Sequence, residues 1–188
     1  NIPSININRY EAGFTLVELI ITLTIAGILV ALAVPAMQTF VLDQRLTTQA
    51  NDFIADLSLS RSEAIKRASN VVICKQGGSV SAPACSTTAA WGAGWIVFVD
   101  TSSPPNNTLD SNETVLRVRQ SLDGGNTLNA ISGTNSIVFA NTGLTTLSSG
   151  EIGMRFCDTR LGNNAVTVWV NFTGRARIDR TAVASCTS

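Results

Sequence analysis

From Leu19 to Leu42 the chain carries no charged residue. As a helix, this run is long enough for the hydrocarbon core of a bilayer, which needs about 20 apolar residues. A secretory signal has a shorter apolar region, about 7–15 residues, followed by small residues at a cleavage site. A buried core helix is also usually shorter. Two positions in this segment need a physical reason. Glu18 heads the apolar run, and a carboxylate in lipid calls for a positive partner. Pro35 lies inside the helical stretch, where it removes a backbone hydrogen bond and predicts a kink or local loosening. Neighbouring helices can re-satisfy the freed carbonyl.

Beyond Leu42 the pattern becomes amphipathic. Leu46, Ala50, Phe53, Leu57, Ala64 and Ala68 recur near helical spacing, and Ile54 and Ile65 widen the stripe. Asp43, Arg45, Asp52, Asp56, Glu63, Lys66 and Arg67 are assigned to the wet face, with Glu63 and Arg67 an i,i+4 pair. The stripe predicts a helix half that packs under a sheet. A continuous helix from Phe14 to about Ser69 would be roughly 80 Å long at 1.5 Å per residue.

The remaining chain alternates short apolar runs with turn signals. Strands are predicted over Val71–Lys75, Trp95–Asp100, Thr114–Gln120, Ser136–Ala140, Ile152–Cys157 and Ala165–Phe172. Gly77-Gly78, Pro104-Pro105-Asn106-Asn107 and Asp123-Gly124-Gly125 separate them. Thr101–Ser111 reads as a loop with the composition of a mobile one. One long helix followed by strands predicts an α+β fold: an N-terminal helix packed against a largely antiparallel β-sheet head. The division is 14–42 for the membrane half of the helix, 43–69 for the amphipathic half and 70–188 for the head.

Composition narrows the function. The chain has 188 residues, formal net charge +0, 45% hydrophobic and 14% charged residues, so no global field draws it to nucleic acid. It has no histidine, which removes the commonest general base and metal ligand. No nucleophile–base constellation, metal-ligand spacing or phosphate-cradling glycine motif stands out, so neither an enzyme nor a cofactor is expected. The four cysteines are Cys74, Cys85, Cys157 and Cys186, with no C-x-x-C pair. Their even number suggests disulfides and an oxidising compartment. Three connectivities are open, of which Cys74–Cys85 with Cys157–Cys186 is the local one. The positive-inside rule has little to read, because Arg9 is offset by Glu11. The cysteines place the head outside the cytoplasm.

Gly13-Phe14-Thr15-Leu16-Val17-Glu18 resembles the processing site of type IV pilins and type II secretion pseudopilins. The resemblance implies a leader over 1–13, cut after Gly13 by a prepilin peptidase, and N-methylation of Phe14. It implies a subunit held in the bacterial inner membrane with its head in the periplasm, which then joins other pilins or pseudopilins through the N-terminal helix. Glu18 would neutralise the terminal amine of Phe14 on a neighbour, and Pro35 matches a helix-loosening proline of many members. The stretch Leu59–Arg67 with Val71–Cys74, and Trp91–Asp100, are similar to the GspH/FimT subgroup.

Arg155, Arg160, Arg175, Arg177 and Arg180 crowd the last part of the chain against Asp158 and Asp179. As a strand, Gly174–Asp179 would point Arg175 and Arg177 to one face, about 7 Å apart, with Ala176 and Ile178 toward the core. That spacing suits successive phosphates of a nucleic acid backbone, bound without reading sequence. The alternative is a solvated strand end paired with Asp158, Asp179 or a neighbouring subunit. Gly174-Arg175-Ala176-Arg177 resembles the G-R-x-R motif of FimT-type minor pilins, some of which bind DNA for uptake in natural transformation. The expected double-stranded DNA contacts are Arg175, Arg177, Arg180 and Arg160. No aromatic is interleaved, so base stacking has less support. The function expected is a minor type IV pilin that joins or primes a pilus. The alternative is a GspH-like pseudopilin of the type II protein secretion system, acting in a periplasmic pseudopilus for protein export.

Overall fold

The computed structural model describes residues 13–147, 150–160, 165–180 and 186, with position 36 by its backbone alone. The chain divides into two compact units, Asn1–Val41 and Leu42–Ser188. Helix α1 (Leu16–Arg67) contributes to both. Most of the leader predicted over 1–13 lies outside the described residues.

In the first unit, Thr15 caps α1: the Glu18 N–H donates to Thr15 Oγ1 at 3.2 Å. Satisfying a free helical N–H from a side chain stabilises the start of a helix. Thr22 and Thr24 return their hydroxyl protons to the carbonyls of Leu19 and Ile20, at 2.9 and 2.8 Å. Their polar atoms are thus satisfied within the helix, as lipid requires. Phe14 and the large apolar side chains from Leu16 to Val41 are exposed. This part of α1 is long and apolar enough to cross a membrane. The helix runs through Pro35, whose missing N–H leaves the Ala31 carbonyl without its ordinary partner.

In the second unit, α1 ends at Arg67, and Ala68 turns the chain with a left-handed φ of 52°. Eight strands follow: β1 (Asn70–Lys75), β2 (Trp95–Asp100), β3 (Thr114–Arg119), β4 (Thr127–Ala130), β5 (Ser136–Phe139), β6 (Glu151–Cys157), β7 (Ala165–Asn171) and β8 (Ala176–Asp179). They form two four-stranded sheets, ordered β3-β2-β1-β5 and β4-β6-β7-β8. All pairings are antiparallel. The head is therefore built on two sheets rather than one. The strand missing from the sequence reading is β4, four residues with Leu128 as their one fully buried side chain.

One core joins the helix to both sheets. Leu46, Ala50, Phe53, Leu57 and Ala64 from α1 meet Val71, Ile73, Val97 and Phe139 of the first sheet. Leu128, Met154, Phe156, Val168 and Val170 enter from the second. The predicted stripe is largely realised, with two exceptions. Ala68 lies past the helix and is exposed, and Ile65 is also exposed. Glu63 and Arg67 do pair, and the hydrogen bond from Arg67 holds the Glu63 carboxyl below its ordinary range.

The first sheet is buried on both faces. A second cluster of Val72, Cys74, Ile96, Phe98 and Val138 lies on its far side, with Leu109 and Cys85 against it. The loop after β2, read as mobile, is tied down by carboxylates. Buried Asp100 accepts from the N–H groups of Ser102 and Asn107, at 3.0 and 2.8 Å. Glu113 accepts from the N–H groups of Thr101 and Asp110 at 2.8 and 3.0 Å. Each bond satisfies a loop donor that has no ladder partner.

The disulfides are Cys74–Cys85 and Cys157–Cys186, the local connectivity, separated by 11 and 29 residues. The first pins the loop after β1 over the second cluster. Chain-entropy reasoning assigns a loop of this size roughly 2–3 kcal/mol. Changing Cys74 and Cys85 together to Ser is expected to cost about that much in denaturant unfolding. A loss below about 0.5 kcal/mol would mean that the reduced loop stays ordered without the bond.

Candidate functional site: the N-terminal anchor and the arginine edge

The first candidate site is the start of α1. Gly13, Phe14 and Glu18 are exposed, with Phe14 and Glu18 flanking the Thr15 cap. Phe14 Cβ onward projects into open surroundings at 81% exposure. Among the described residues, the Glu18 carboxylate has no ion pair.

The second candidate site is the β7–β8 hairpin and its neighbours. Opposed pairs run Thr167–Asp179, Val168–Ile178, Trp169–Arg177 and Val170–Ala176. Two-residue alternation then sends Ala176 and Ile178 toward the core and leaves Arg177 outside. Arg175 lies before β8, in the turn, so the two arginines do not share one strand face as expected. The turn depends on Asn171 and Gly174. Asn171 Oδ1 accepts from the Thr173 hydroxyl at 2.7 Å and the Arg175 N–H at 3.0 Å. Gly174 has φ of 76°, and a Cβ there would lie 2.6 Å from the Gly143 carbonyl oxygen. Both the left-handed backbone and the close approach require glycine.

The five arginines do not form one cluster. Arg177 lies over the Trp169 ring, 5.6 Å from its centroid, and pairs with Glu151 at 2.8 Å and Asp179 at 3.9 Å. Arg160 is held by Asp158 and Asp43, and these hydrogen bonds, Asp158 first, raise its already high pKa. Arg180 donates to Thr47 Oγ1 at 3.3 Å. Arg155 lies in β6, opposite Thr167. Arg175 is exposed, and its side chain joins Ser58, Arg61, Ser62, Ile65 and Gly174 around a notch of about 370 Å³. Thr47 and Arg61 are separated by about 21 Å of helix at 1.5 Å per residue. The arginines therefore mark a long seam between α1 and the second sheet, with Arg177 on the sheet's outer face.

Two residues escaped the sequence reading. Asp56, assigned to the wet face, is 1% exposed. Its carboxylate accepts from Trp95 Nε1 at 2.9 Å and from Arg119 Nε at 2.8 Å, and it pairs with Arg117 at 3.4 Å. The hydrogen bonds that Arg119 donates to Asp56 raise its pKa, so that guanidinium stays charged. Arg61 is the other. It lies one turn from both Leu57 and Ala64, on the buried side of α1, and its Nε is buried without a hydrogen-bond partner. The signal for both was the same: polar residues set within an otherwise apolar helical stripe.

Among the described residues, no group of acidic, cysteine or histidine side chains could hold a metal ion.

Comparison with known proteins adds three findings. The family model described as "Type II transport protein GspH" matches residues 49–174, and the "Prokaryotic N-terminal methylation motif" matches residues 8–34. The first match ends at Gly174, before Arg175, Arg177 and Arg180. Among solved structures, the fold is similar to the type IV minor pilin FimU of Pseudomonas aeruginosa, with TM-score 0.58 and 18% identity over 79% of this chain and 99% of that one. It is also similar to the minor pseudopilin EpsH of the type 2 secretion system of Vibrio cholerae, with TM-score 0.51 and 12% identity over 74% of this chain and 99% of that one. A search of curated proteins gives no significant match. With its apolar N-terminal helix, its methylation motif and a family match over well more than half its length, the chain belongs to the GspH family and is a minor pilin or pseudopilin of the type IV pilus or type II secretion class.

Proposed function

We propose that this chain is a minor type IV pilin that joins or primes a pilus and grips the DNA backbone along its arginine edge, acting by assembly rather than catalysis. In this reading, a prepilin peptidase cuts after Gly13 and the apolar part of α1 holds the subunit in the inner membrane with its head in the periplasm. Glu18 then meets the Phe14 amine of a neighbouring pilin as the helices bundle, which supplies the positive partner a carboxylate in lipid needs. The apolar surface of α1 is covered in the filament by other such helices.

The observation that carries the DNA part is Arg175. It is exposed on a hairpin turn, and among the described residues no acidic side chain pairs with it. Arg177 is partly engaged by Glu151 yet still 56% exposed, so a phosphate can share it. Arg180 and Arg160 extend the basic side, although Arg160 is largely committed to Asp158 and Asp43. Such contacts bind without reading sequence.

The test is duplex DNA binding by the full-length protein in detergent at two salt concentrations, beside Arg175→Gln with Arg177→Gln. Wild type is expected to weaken steeply with salt, and the double variant to lose affinity and about two phosphates' worth of salt slope. Absence of binding at low salt would remove the DNA role. The pseudopilin of type II secretion, whose filament has no need for free surface arginines, would then be the better reading.

A further inference from the structure

The notch beside the β7–β8 turn is lined by Arg61 and Arg175, with Ser58, Ser62, Ile65 and Gly174. No acidic side chain is in that lining. Of the other arginines expected to contact DNA, Arg160 is engaged by two carboxylates, Arg177 by Glu151 and Arg180 by Thr47. Among the described residues, neither the Arg61 nor the Arg175 side chain has such a partner. Arg61 is half-buried against the turn, and its Nε is shielded from solvent with nothing to donate to. A buried donor left unmet in this way is costly. Its position is fixed by the glycines opposite: Arg61 Cδ would lie 3.3 Å from a Cβ at Gly174, and Arg61 Cγ 3.5 Å from one at Gly143. These glycines leave room for Arg61 to lie across the hairpin turn. Two unpaired guanidiniums, two serines and no carboxylate in one concavity describe an oxyanion seat. Forked donors suit phosphate oxygens in particular.

We infer that Arg61 and Arg175 together hold a single backbone phosphate of bound DNA, so that a residue of α1 belongs to the nucleic acid interface. This rests on the DNA reading given above and adds one seat, shared between helix and hairpin, to it. The seat gives the path an anchored start. From it, the seam runs along α1 toward Arg180, roughly 17 Å away for five residues of extended chain.

The experiment is a double-mutant cycle on the full-length protein in detergent, with Arg61→Gln, Arg175→Gln and both, read as duplex DNA affinity against salt. Each single variant is expected to bind about tenfold more weakly. The double variant should lose clearly less than the product of the two, and its log–log salt slope should fall by about 0.9, one phosphate in total. Arg61→Lys should keep most of the slope, because the charge remains. Ser62→Asp, an exposed rim substitution, should weaken binding by a similar factor without touching the core, which guards against a folding defect in Arg61→Gln. Wild-type affinity and slope in Arg61→Gln and Ser62→Asp, with binding still lost in Arg175→Gln, would overturn the seat and leave the DNA reading standing. Fully independent losses, with two phosphates' worth of slope gone, would overturn the sharing of one phosphate. No binding by the wild type would overturn both readings at once.

Discussion

Replacing Asp56 with Ala is expected to destabilise the head by about 3–5 kcal/mol, the range for removing one partner of a buried ion pair. The reason is the number of donors converging on one carboxylate. Trp95 Nε1 and Arg119 Nε donate to it at 2.9 and 2.8 Å, Arg119 Nη2 at 3.2 Å, and Arg117 lies 3.4 Å away. A β-bulge between Val97 and Phe98 in the pairing of β2 with β3 makes this possible. It lets consecutive residues on β3, Leu116 and Arg117, both serve the helix side, one in the core and one in the ion pair. Alanine would leave the buried indole N–H unsatisfied and Arg119, only 26% exposed, with Asp52 alone at 3.5 Å. Asp56→Asn keeps an oxygen for the indole but loses the charge, so a smaller loss of roughly 1.5–3 kcal/mol is expected. In a domain of this size each kcal/mol lowers Tm by about 2–4 °C, so the Ala variant should melt roughly 10 °C lower. A drop of less than about 2 °C would mean that water replaces the carboxylate and that the network is not a structural tie.

Asp56 also shows where the sequence was legible and where it was not. The spacing of Leu46, Ala50, Phe53, Leu57 and Ala64 is local information, and all five are buried as that spacing requires. The strands β1, β2, β3, β5, β6 and β7 were marked by dense β-branched and aromatic runs between turn residues, and each lies within a residue or two of its expected bounds. By the same local logic an aspartate or an arginine on a helix is assigned to water. What reverses the assignment for Asp56 is Arg119, 63 residues later. Arg61, placed on neither face from the sequence, meets a hairpin more than 110 residues away. Pairings of that kind depend on how two sheets and a helix meet, which no window along the chain contains. The arginines illustrate the converse. Their crowding in the last part of the sequence suggested a patch, but a strand rises about 3.3 Å per residue, so five positions spread across much of the head. Local neighbours then absorbed Arg160 and Arg177 into ion pairs. The β4 strand was hidden for a simpler reason. Four residues with one large apolar side chain, flanked by Gly124-Gly125, carry too little pattern to separate from a loop.

Phe53→Ala is expected to cost a further 3–5 kcal/mol of head stability, and Phe53→Leu about 1–2. Phe53 is fully buried, and its ring meets three others edge-on. The centroid separations are 5.1 Å to Trp95, 5.9 Å to Phe156 and 6.2 Å to Trp91. Trp95 begins β2 of the first sheet, Phe156 lies in β6 of the second, and Trp91 precedes β2 in a short 3-10 turn. One side chain of α1 therefore touches both sheets and the turn that starts β2. Alanine would open a cavity at the point where three elements converge, and no single neighbour can collapse into it without leaving another contact. Leucine refills much of the volume but forfeits the edge-to-face geometry, worth about 0.5–1.5 kcal/mol per pair. The measurement is denaturant unfolding monitored at the tryptophans. Loss of near-ultraviolet signal at lower denaturant in Phe53→Ala, with helix content retained until the same transition, is the expected outcome. If Phe53→Ala cost under about 1 kcal/mol, the two sheets would have to be held together elsewhere, through other members of the core such as Leu57 and Met154. The head can present a fixed arginine edge only while helix and hairpin stay in register, so the same variant should also weaken any binding that depends on Arg61 and Arg175 together.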